Sequence, residues 1–481
     1  MWPFGGRKSP ARPRRAIPVA LRARFDSAQT TPDNRRHWAN ADFLSANAAA
    51  NPEVRRTLRN RARYEVANNS YAKGIVLTLA NDVIGTGPRL QLLLGDGKDH
   101  GVNGILEKEF AAWAKAVDLP GKLRTMRMAR AQDGEVFGLL FSNPNLQHAV
   151  KLDIKLIEAD QVTTPPMKLP APTFVDGIVF DEFGNPIQYH VLDYHPGDFL
   201  ALLPVAYRVI LAASIIHWFR KDRPGQSRGL PDILPALPLF AQLRRYTLAV
   251  IAAAETAADF AAVLFTDAPA NGEAQALEPM DIVEQKKRMA TVLPDGWRLG
   301  QIEAHQPTTT YDMFKREILN EIARCLNMPY NIAACNSSGY NYSSGRLDHQ
   351  TYYKSIRVEQ AHCETVVLDR ILSAWLAEAV KVFGLGELEN ASHQWFWDGH
   401  EHIDPAKEAS AQATRLISHT TTLAQEYARQ GKDWETELRQ RAREVALMNE
   451  LGLSAAQTAP APQAQEVKDD DEAEQKQSRA A

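Results

Sequence analysis

The sequence predicts an α+β fold, because long helical segments lie on both sides of one strand-rich segment. Apolar residues recur every three to four positions in the helical segments, which is the period of an amphipathic helix. Residues 136–219 instead contain short runs of β-branched and aromatic residues, and the turn sequence Phe183–Pro186 separates two of them. With 481 residues and 44% hydrophobic content, the chain can form about two to four domains with buried cores.

The overall charge and the cysteines exclude several classes of protein. A net charge of −3 excludes a protein that coats nucleic acid through its total charge, although local basic patches remain compatible with it. Cys325, Cys335 and Cys363 are too few and too scattered for a disulfide framework, which favours a reducing cytoplasm. We expect neither a cofactor nor a metal.

Two apolar stretches have nearly the length of a membrane span. The stretch 199–219 contains Pro204 and Arg208, and a charge in mid-membrane is costly, so we predict two buried strands there. The stretch 248–265 contains Glu255 and Asp259 and is excluded for the same reason. The basic N-terminus is interrupted by prolines and lacks the continuous apolar core of a secretion signal. No membrane partner is expected.

Helices are predicted before the strand-rich segment, over 52–79, 106–117 and 123–137. A sharp turn is predicted at Gly85–Pro88, whose spacing is not that of a dinucleotide-binding loop. The third helix ends in Asp133-Gly134-Glu135. Two carboxylates can act as general acid and base, but a helix end followed by a turn explains the same residues, and we favour that interpretation.

A basic loop, 221–229, follows the strands. Its side chains Arg223, Gln226 and Arg228, with main-chain N–H groups, could hold phosphate. It lacks the spacing of a Walker A motif, as does the rest of the chain, so we expect no ATP site. Residues 238–264 form an alanine-rich predicted helix, either one member of an ordinary bundle or a stem helix repeated around a ring. Residues 266–310 are an insertion rich in proline and glycine.

The most distinctive stretch of the chain is 311–384. It predicts a helix that Pro329 stops, a polar loop over 331–346, and a second long helix whose apolar positions are paired. Ser343 has no base at triad spacing, so a nucleophilic role is disfavoured. Beyond it, His400 and His402 lack an obvious third metal ligand. Asp404 and Asp433 are predicted caps of the last helices.

The run NMPYNIAACNSSGYNYSSGR, 327–346, resembles the signature of the lambda family of phage portal proteins. Five further segments match in the same order along the chain: NDVIGTGPRLQ, DGEVF, IEADQVTTP, RPGQSRGLP and IDPAKEA. The resemblance implies a portal fold with the following parts: N-terminal arm 1–50, wing 51–235, first stem helix 236–265, clip 266–308, second stem helix 309–328, tunnel loop and long wing helix 329–394, helical crown 395–454, and disordered tail 455–481.

The resemblance also implies function. The family forms a homo-dodecameric ring at one capsid vertex, through which double-stranded DNA passes without sequence specificity. Implied partners are the large terminase subunit, capsid or scaffold proteins and head-tail connector proteins. Glu255 and Asp259 are expected to line the channel, because too many cations would hold the DNA. The tunnel-loop residues that would contact phosphates are Ser337, Ser338, Tyr340, Asn341, Tyr342, Ser343, Ser344 and Arg346.

Two other classes of function stay open from the sequence. A phage DNA-processing or proteolytic enzyme would need one of the pairs Asp133/Glu135 or His400/His402, and an activity assay separates it from a channel. A monomeric adaptor without a channel would differ in native mass. The N-terminal arm also has two interpretations: a flexible solvated tail, or an arm that contacts phosphate or a neighbouring subunit.

Overall fold

The computed structural model describes residues 31–93, 100–165, 171, 173–198, 206–259, 263–266, 297–300, 310–385, 392–399 and 405–453. Helices and strands are both present, which confirms the α+β class. The expected tail, most of the expected clip, and His400, His402 and Asp404 lie outside these residues.

The described helices fall into three groups along the chain. The first group precedes the strand-rich segment: α1 Ala46–Ala49, α2 Pro52–Asn68, α3 Ser70–Ile84, α4 His100–Ala116 and α5 Leu119–Asp133. The second spans the expected stem and long wing helix: α6 Leu237–Asp259, α7 Thr310–Arg324, α8 Tyr330–Ala333, α9 Tyr342–Cys363 and α10 Asp369–Phe383. A π-helical turn, Glu364–Leu368, joins α9 to α10. The third is the expected crown: α11 Pro405–Ile417, α12 Leu423–Arg429 and α13 Trp434–Glu450.

The strands of the described residues form four small antiparallel sheets. Their bounds are β1 Arg89–Leu92, β2 Glu135–Ser142, β3 Leu152–Ile157, β4 Phe174–Val175, β5 Ile178–Phe180, β6 Pro186–Leu192, β7 Tyr207–Leu211, β8 Ile215–Phe219, β9 Val263–Thr266, β10 Trp297–Gly300 and β11 His393–Phe396. The strand-rich segment contains the orders β3-β2-β8 and β4-β5-β6-β7, whereas β1 pairs with β11 and β9 with β10. The predicted β-rich region is therefore confirmed, including the turn at Gly184 between β5 and β6.

The main core lies between the N-terminal helices and the α9–α10 segment. Trp113 and Trp375 are fully buried there, and the ring of Phe110 lies 5.3 Å from each of them. The indole N–H of Trp113 donates to the carbonyl oxygen of Leu152 at 2.8 Å, which ties this core to β3. The paired apolar positions predicted on the long helix, such as Ile371 and Leu372, are buried as expected. A smaller core fills the space around Phe137 in the sheets.

Helix ends follow the expected local chemistry at several places. Asn51 caps α2 by accepting from the N–H of Glu53 at 3.1 Å, and Pro52 occupies the first helical position. The predicted helix 52–79 is instead two helices, because Asn69 adopts an extended conformation and its side chain caps α3. The predicted cap at Asp433 is confirmed, since its carboxylate accepts from the N–H of Thr436 at 2.9 Å.

Three boundaries differ from the sequence-based expectation. The helix expected over 123–137 ends at Asp133, because Gly134 takes a positive φ of 89° and Glu135 begins a strand. The helix expected over 238–264 cannot reach Leu264, which belongs to β9. Two buried strands were expected in 199–219, but only β8 is buried. The other strand, β7, lies at the edge of its sheet, and its Leu211 is 63% exposed. No helix among the described residues has the length and apolar character needed to span a bilayer.

Candidate functional site

A buried carboxylate, Glu135, lies at the start of β2 and is surrounded by hydrogen-bonding partners. Its first partner is Arg228, whose guanidinium approaches it to 2.7 Å, and its second is His217, whose Nε2 lies 3.0 Å away. The main-chain N–H of Gly229 also donates to it at 2.9 Å. Burial alone would raise the pKa of Glu135, but Arg228 and the hydrogen bond with His217 outweigh it and hold the pKa well below its ordinary value. Glu135 is therefore an ionised structural anchor.

One face of α2 supplies further cations to this region. Arg55, Arg59 and Arg63 are four residues apart, which places them on the same side of the helix. Arg59 pairs with Asp160 at 2.6 Å, and Arg63 pairs with Asp133 at 2.6 Å. Arg55 pairs with Asp176. These ion pairs join α2 to the end of α5 and to the sheets.

This network corrects the two interpretations of Asp133 and Glu135. They do not form an acid–base pair, because Asp133 is engaged by Arg63 and Glu135 by Arg228. The interpretation that we favoured, a helix end followed by a turn, is right for Asp133 but wrong for Glu135, which lies in a strand. The sequence signal that could have revealed the network is the spacing of the three α2 arginines.

In the loop 221–229, two of the three side chains expected to hold phosphate are buried. Arg228 is 1% exposed and is bound by Glu135, by Asp176 and by three carbonyl oxygens. Gln226 is also buried, and its amide donates to the carbonyl oxygen of Arg228 at 2.8 Å. Of the three expected phosphate contacts only Arg223 is exposed, and it donates to the carbonyl oxygen of Leu44 at 3.0 Å. Arg228 and Gln226 thus hold the loop against the strand-rich segment, and both side chains are buried.

The expected tunnel loop is partly helical. Residues Tyr342, Ser343, Ser344 and Arg346 form the first turns of α9, and Arg346 is exposed. The connection between the helices is only 334–341, because α8 ends at Ala333 and α9 begins at Tyr342. The expected contact residues are therefore divided between a turn and a helix N-terminus.

The turn 337–341 is held in place by α7. Arg316 donates to the carbonyl oxygen of Ser338 at 2.9 Å, and its guanidinium lies 5.1 Å from the ring centroid of Tyr330. The N–H of Tyr340 donates to the carbonyl oxygen of Ser337 at 3.2 Å. Burial raises the pKa of the Tyr340 hydroxyl. Ser337, Ser338 and Asn341 are exposed, so this turn presents hydroxyls and an amide on a supported backbone.

The two expected stem helices pack together through aromatic side chains. The ring of Tyr246 on α6 lies 5.6 Å from Tyr311 and 4.8 Å from Phe314, both on α7. The Tyr311 hydroxyl donates to the Thr247 hydroxyl at 3.4 Å. Phe314 is still 50% exposed, so the predicted apolar face of α7 is only partly covered in the single chain.

Further apolar side chains on this helix pair face solvent. Leu248 is 59% exposed, Ile251 is 48% exposed, and Met313 on α7 is 63% exposed. Glu255 is also exposed near the end of α6, and Asp259 is the last residue of that helix. An exposed apolar surface on long helices is typical of a surface that another protein covers.

A half-open cleft of about 970 Å³ lies between β8 and the middle of α9. It is lined on the β8 side by Phe219, Arg220 and Lys221, and on the α9 side by Lys354 and Glu359. No motif predicted this cleft, because its lining comes from segments far apart in the sequence.

One group of described residues could offer three ligands to a metal. Carboxylate oxygens of Glu158 and Asp160 and a nitrogen of His195 lie within 4.8 Å of one another. The guanidinium of Arg63 already lies 3.2 Å from Glu158 and 2.9 Å from Asp160, so it neutralises the two carboxylates that a metal ion would bind. The group fits an ion-pair cluster better than a metal centre.

Comparisons with known proteins agree over most of the chain. The family model described as "Phage portal protein, lambda family" matches residues 33–360. A relative named "Probable portal protein", from Halomonas phage phiHAP-1, is 26% identical and aligns with 94% of this chain and 92% of its own length. "Portal protein B" of Escherichia phage lambda is 22% identical, with 93% of each chain covered.

Among solved structures, the chain is similar to one titled "Neck of empty GTA particle computed with C6 symmetry". The identity is 13%, the TM-score is 0.43, and the match covers 77% of this chain and 92% of the other. The family match covers well over half of the 481 residues and includes α2, both expected stem helices and most of α9. The chain therefore belongs to the lambda family of phage portal proteins.

Proposed function

We propose that copies of this chain assemble into a closed twelve-subunit ring at one vertex of a phage head, with double-stranded DNA passing through the centre. Family membership implies the portal role, and the exposed apolar surface of α6 and α7 supports the ring. In a cyclic ring each subunit joins its neighbour head to tail, so one surface packs against a different surface of the next copy.

The stem helices are the best-supported contact between copies. The hydrogen bond between Tyr311 and Thr247 brings Leu248 and Met313 to the same level of the helix pair. Both side chains are more than half exposed. Burying apolar area of this kind contributes about 25 cal/mol per Å², so the contact stabilises an assembly without any chemical change.

The proposed channel acts physically. Too many cations on its wall would hold DNA through release of counterions, so the lining should carry few net positive charges. Glu255 and Asp259 at the end of α6 are proposed to contribute to it. The turn 337–341 and the start of α9, including Arg346, are proposed to touch phosphates without reading sequence.

The remaining partners follow from the place of the ring. The segment between α6 and α7, to which the paired strands β9 and β10 belong, is proposed to dock the large terminase subunit. Capsid or scaffold proteins and head-tail connector proteins would contact the wing and crown. The power for DNA movement comes from the terminase, and this chain contributes no catalysis. The enzyme alternative loses support because Asp133 and Glu135 are each ion-paired.

A complementation experiment tests the proposal. A phage whose own copy of this gene is disabled is supplied with the Leu248→Glu variant, which places a charge on the proposed stem contact. We expect a folded chain that fails to form rings, and heads that contain no DNA. Phe183→Glu is the matched control, because Phe183 is 81% exposed on the β5–β6 turn, away from the stem. Normal rings and filled heads with Leu248→Glu would contradict the proposed contact, and filled heads with no gene product would contradict the function.

A further inference from the structure

The cleft between β8 and α9 is strongly cationic. Among the residues that the structure describes, its wall contains one carboxylate, Glu359, and the following cationic side chains: Arg130, Arg220, Lys221, Arg324, Lys354 and Arg370. Arg220 and Lys221 come from the end of β8 and the start of the loop 221–229, so the basic character noted in the sequence does reach a cavity, through residues other than Arg228.

Two of these cations are already balanced by acidic groups. Arg130 lies 3.3 Å from Glu359, and Arg220 lies 3.1 Å from the buried carboxylate of Asp232. Arg220 also pairs with Asp222 at 2.7 Å. Arg130 is itself buried, and its Nε and Nη1 atoms have no hydrogen-bond acceptor. Even the balanced part of the wall therefore retains unsatisfied donors.

The other four cations have no acidic partner among the residues that the structure describes. Arg324 donates to the amide oxygen of Asn327 at 3.0 Å, and Arg370 donates to the carbonyl oxygen of Ala212 at 2.6 Å. Lys221 lies 5.9 Å from the ring centroid of Phe219, a neutral neighbour. The Lys354 ammonium group, on the exposed side of α9, has no ion pair within the described chain. The cleft thus has a positive excess that an anion can neutralise.

The rest of the wall suits a ligand with both polar and apolar parts. Thr351 and Ser355 provide hydroxyls one turn apart on α9, while Tyr189 and Ile356 provide apolar surface. The volume of about 970 Å³ lies at the upper end of the roughly 300–1,000 Å³ of small-molecule sites. Arginine and lysine groups are the residues that bind phosphate oxygens best.

We propose that this cleft binds a phosphate-bearing ligand of nucleotide size, with Lys221 and Lys354 as its free phosphate contacts. The phosphate can come from a free nucleotide or from a nucleotide unit of a DNA strand, and both share the same chemistry at the cleft. The described lining of the cleft includes no residue of the turn 337–341 and neither of the α6 residues proposed for the channel, so the site adds a binding function to the proposed ring.

Titration of the assembled full-length protein tests the site. Inorganic pyrophosphate, a deoxynucleoside triphosphate and a short DNA duplex are each titrated by calorimetry at one fixed salt concentration. The double variant Lys221→Ala/Lys354→Ala should weaken pyrophosphate binding by about tenfold or more, because each lost charge-assisted hydrogen bond is worth about that factor. Arg357→Ala is the matched control: Arg357 is exposed on the same helix, three residues from Lys354, and does not line the cleft.

Each result has a defined meaning. Triphosphate binding that the double variant loses, with no competition from duplex, supports the free nucleotide. Competition between duplex and pyrophosphate that the double variant abolishes supports the nucleotide unit of DNA. Absence of pyrophosphate binding, or equal binding by the double variant and Arg357→Ala, overturns the proposal. Ring formation, measured on the same samples, is expected to be unchanged, which separates failure of this site from failure of the proposed ring.

Discussion

Glu135 shows how a single ionised residue can organise a fold. A buried carboxylate is costly unless cations and hydrogen-bond donors surround it. Here Arg228, His217 and the N–H of Gly229 provide both, so β2, β8 and the loop 221–229 meet at one group. The residues DGEVF, which contributed to the family resemblance, contain this anchor, and its role is packing and charge balance.

Arg228→Met is expected to destabilise the protein by about 3–5 kcal/mol, because it leaves Glu135 without its main buried cation and removes one of the two arginines that pair with Asp176. Denaturant unfolding followed by circular dichroism measures the change. Arg223→Ala removes an exposed arginine from the same loop and should change the free energy of unfolding by about 0.5 kcal/mol or less. Equal effects of the two variants would show that the buried network is not the anchor of the loop.

The pH dependence of stability gives a second test of Glu135. Its folded pKa lies well below the ordinary value of 4.5, so its contribution is fully present above pH 4.5. Below that pH the unfolded chain takes up the proton first, and stability falls until the folded pKa is reached. Glu135→Gln is expected to be less stable at neutral pH and to lose less further stability below pH 4.5.

The control for this experiment is Glu53→Gln, since the Glu53 side chain is 78% exposed. Below pH 4.5 the free energy of unfolding of this variant should decrease as much as that of the parent protein. If Glu135→Gln shows the same acid-induced loss as the parent protein, Glu135 does not carry the linked proton.

At the scale of elements, the α5–β2 junction depends on close contact between two backbones. Gly134 ends α5 with φ 89°, and an added Cβ would lie 2.4 Å from the carbonyl carbon of Leu230. This contact positions Glu135 to begin β2 beside the loop that carries Arg228. The left-handed conformation of Gly134 ends the helix, so it does not continue to 137 as the sequence pattern had predicted.

Gly134→Ala is therefore expected to destabilise the protein by about 2 kcal/mol more than Gly184→Ala, measured by thermal or denaturant unfolding. The two glycines have nearly equal φ values, 89° and 84°, but an added Cβ at Gly184 meets nothing within 4 Å. The backbone strain of an alanine is thus similar at the two positions. The difference in the free energy of unfolding between the two variants therefore reports the contact with Leu230. Equal destabilisation would mean that the junction relaxes freely.

The turn before α9 is predicted to depend on α7. Arg316→Ala removes the donor to the carbonyl oxygen of Ser338 and the stacking on Tyr330. Hydrogen exchange of the amides of 337–341 should become faster by about tenfold, which corresponds to loss of a hydrogen bond of about 1.4 kcal/mol. Glu317→Ala, the exposed neighbour on α7, should leave these rates unchanged. Unchanged exchange in Arg316→Ala would show that the turn is ordered by other contacts.

Local patterns predicted the element types better than their ends. The apolar pairs around Ile371 and the turn at Gly184 gave the long helix and the β5–β6 connection correctly. The error at β7 arose because a run of apolar residues does not distinguish an inner strand from an edge strand. The error at Tyr342–Arg346 arose because serine and asparagine favour both turns and helix starts.

At the scale of the whole molecule, the sites depend on contacts between distant segments. The α2 arginines meet Asp160 and Asp176 across more than one hundred residues, and the cleft combines side chains from β8, α7 and α9. The four-residue spacing of the α2 arginines indicates that they share a helix face, but it does not identify their acidic partners, and no local pattern brings the walls of the cleft together. The resemblance to portal proteins could be recognised from the sequence, because it rests on short motifs whose order along the chain is itself informative.

The central claim is that copies of this chain close into a ring, and native mass spectrometry of the purified full-length protein, with electron microscopy of the same sample, measures it most directly. We expect one dominant species of twelve subunits with a central hole, present over a wide concentration range, and a folded single copy for Leu248→Glu. A wild-type protein that stays a single copy at every concentration would contradict the account.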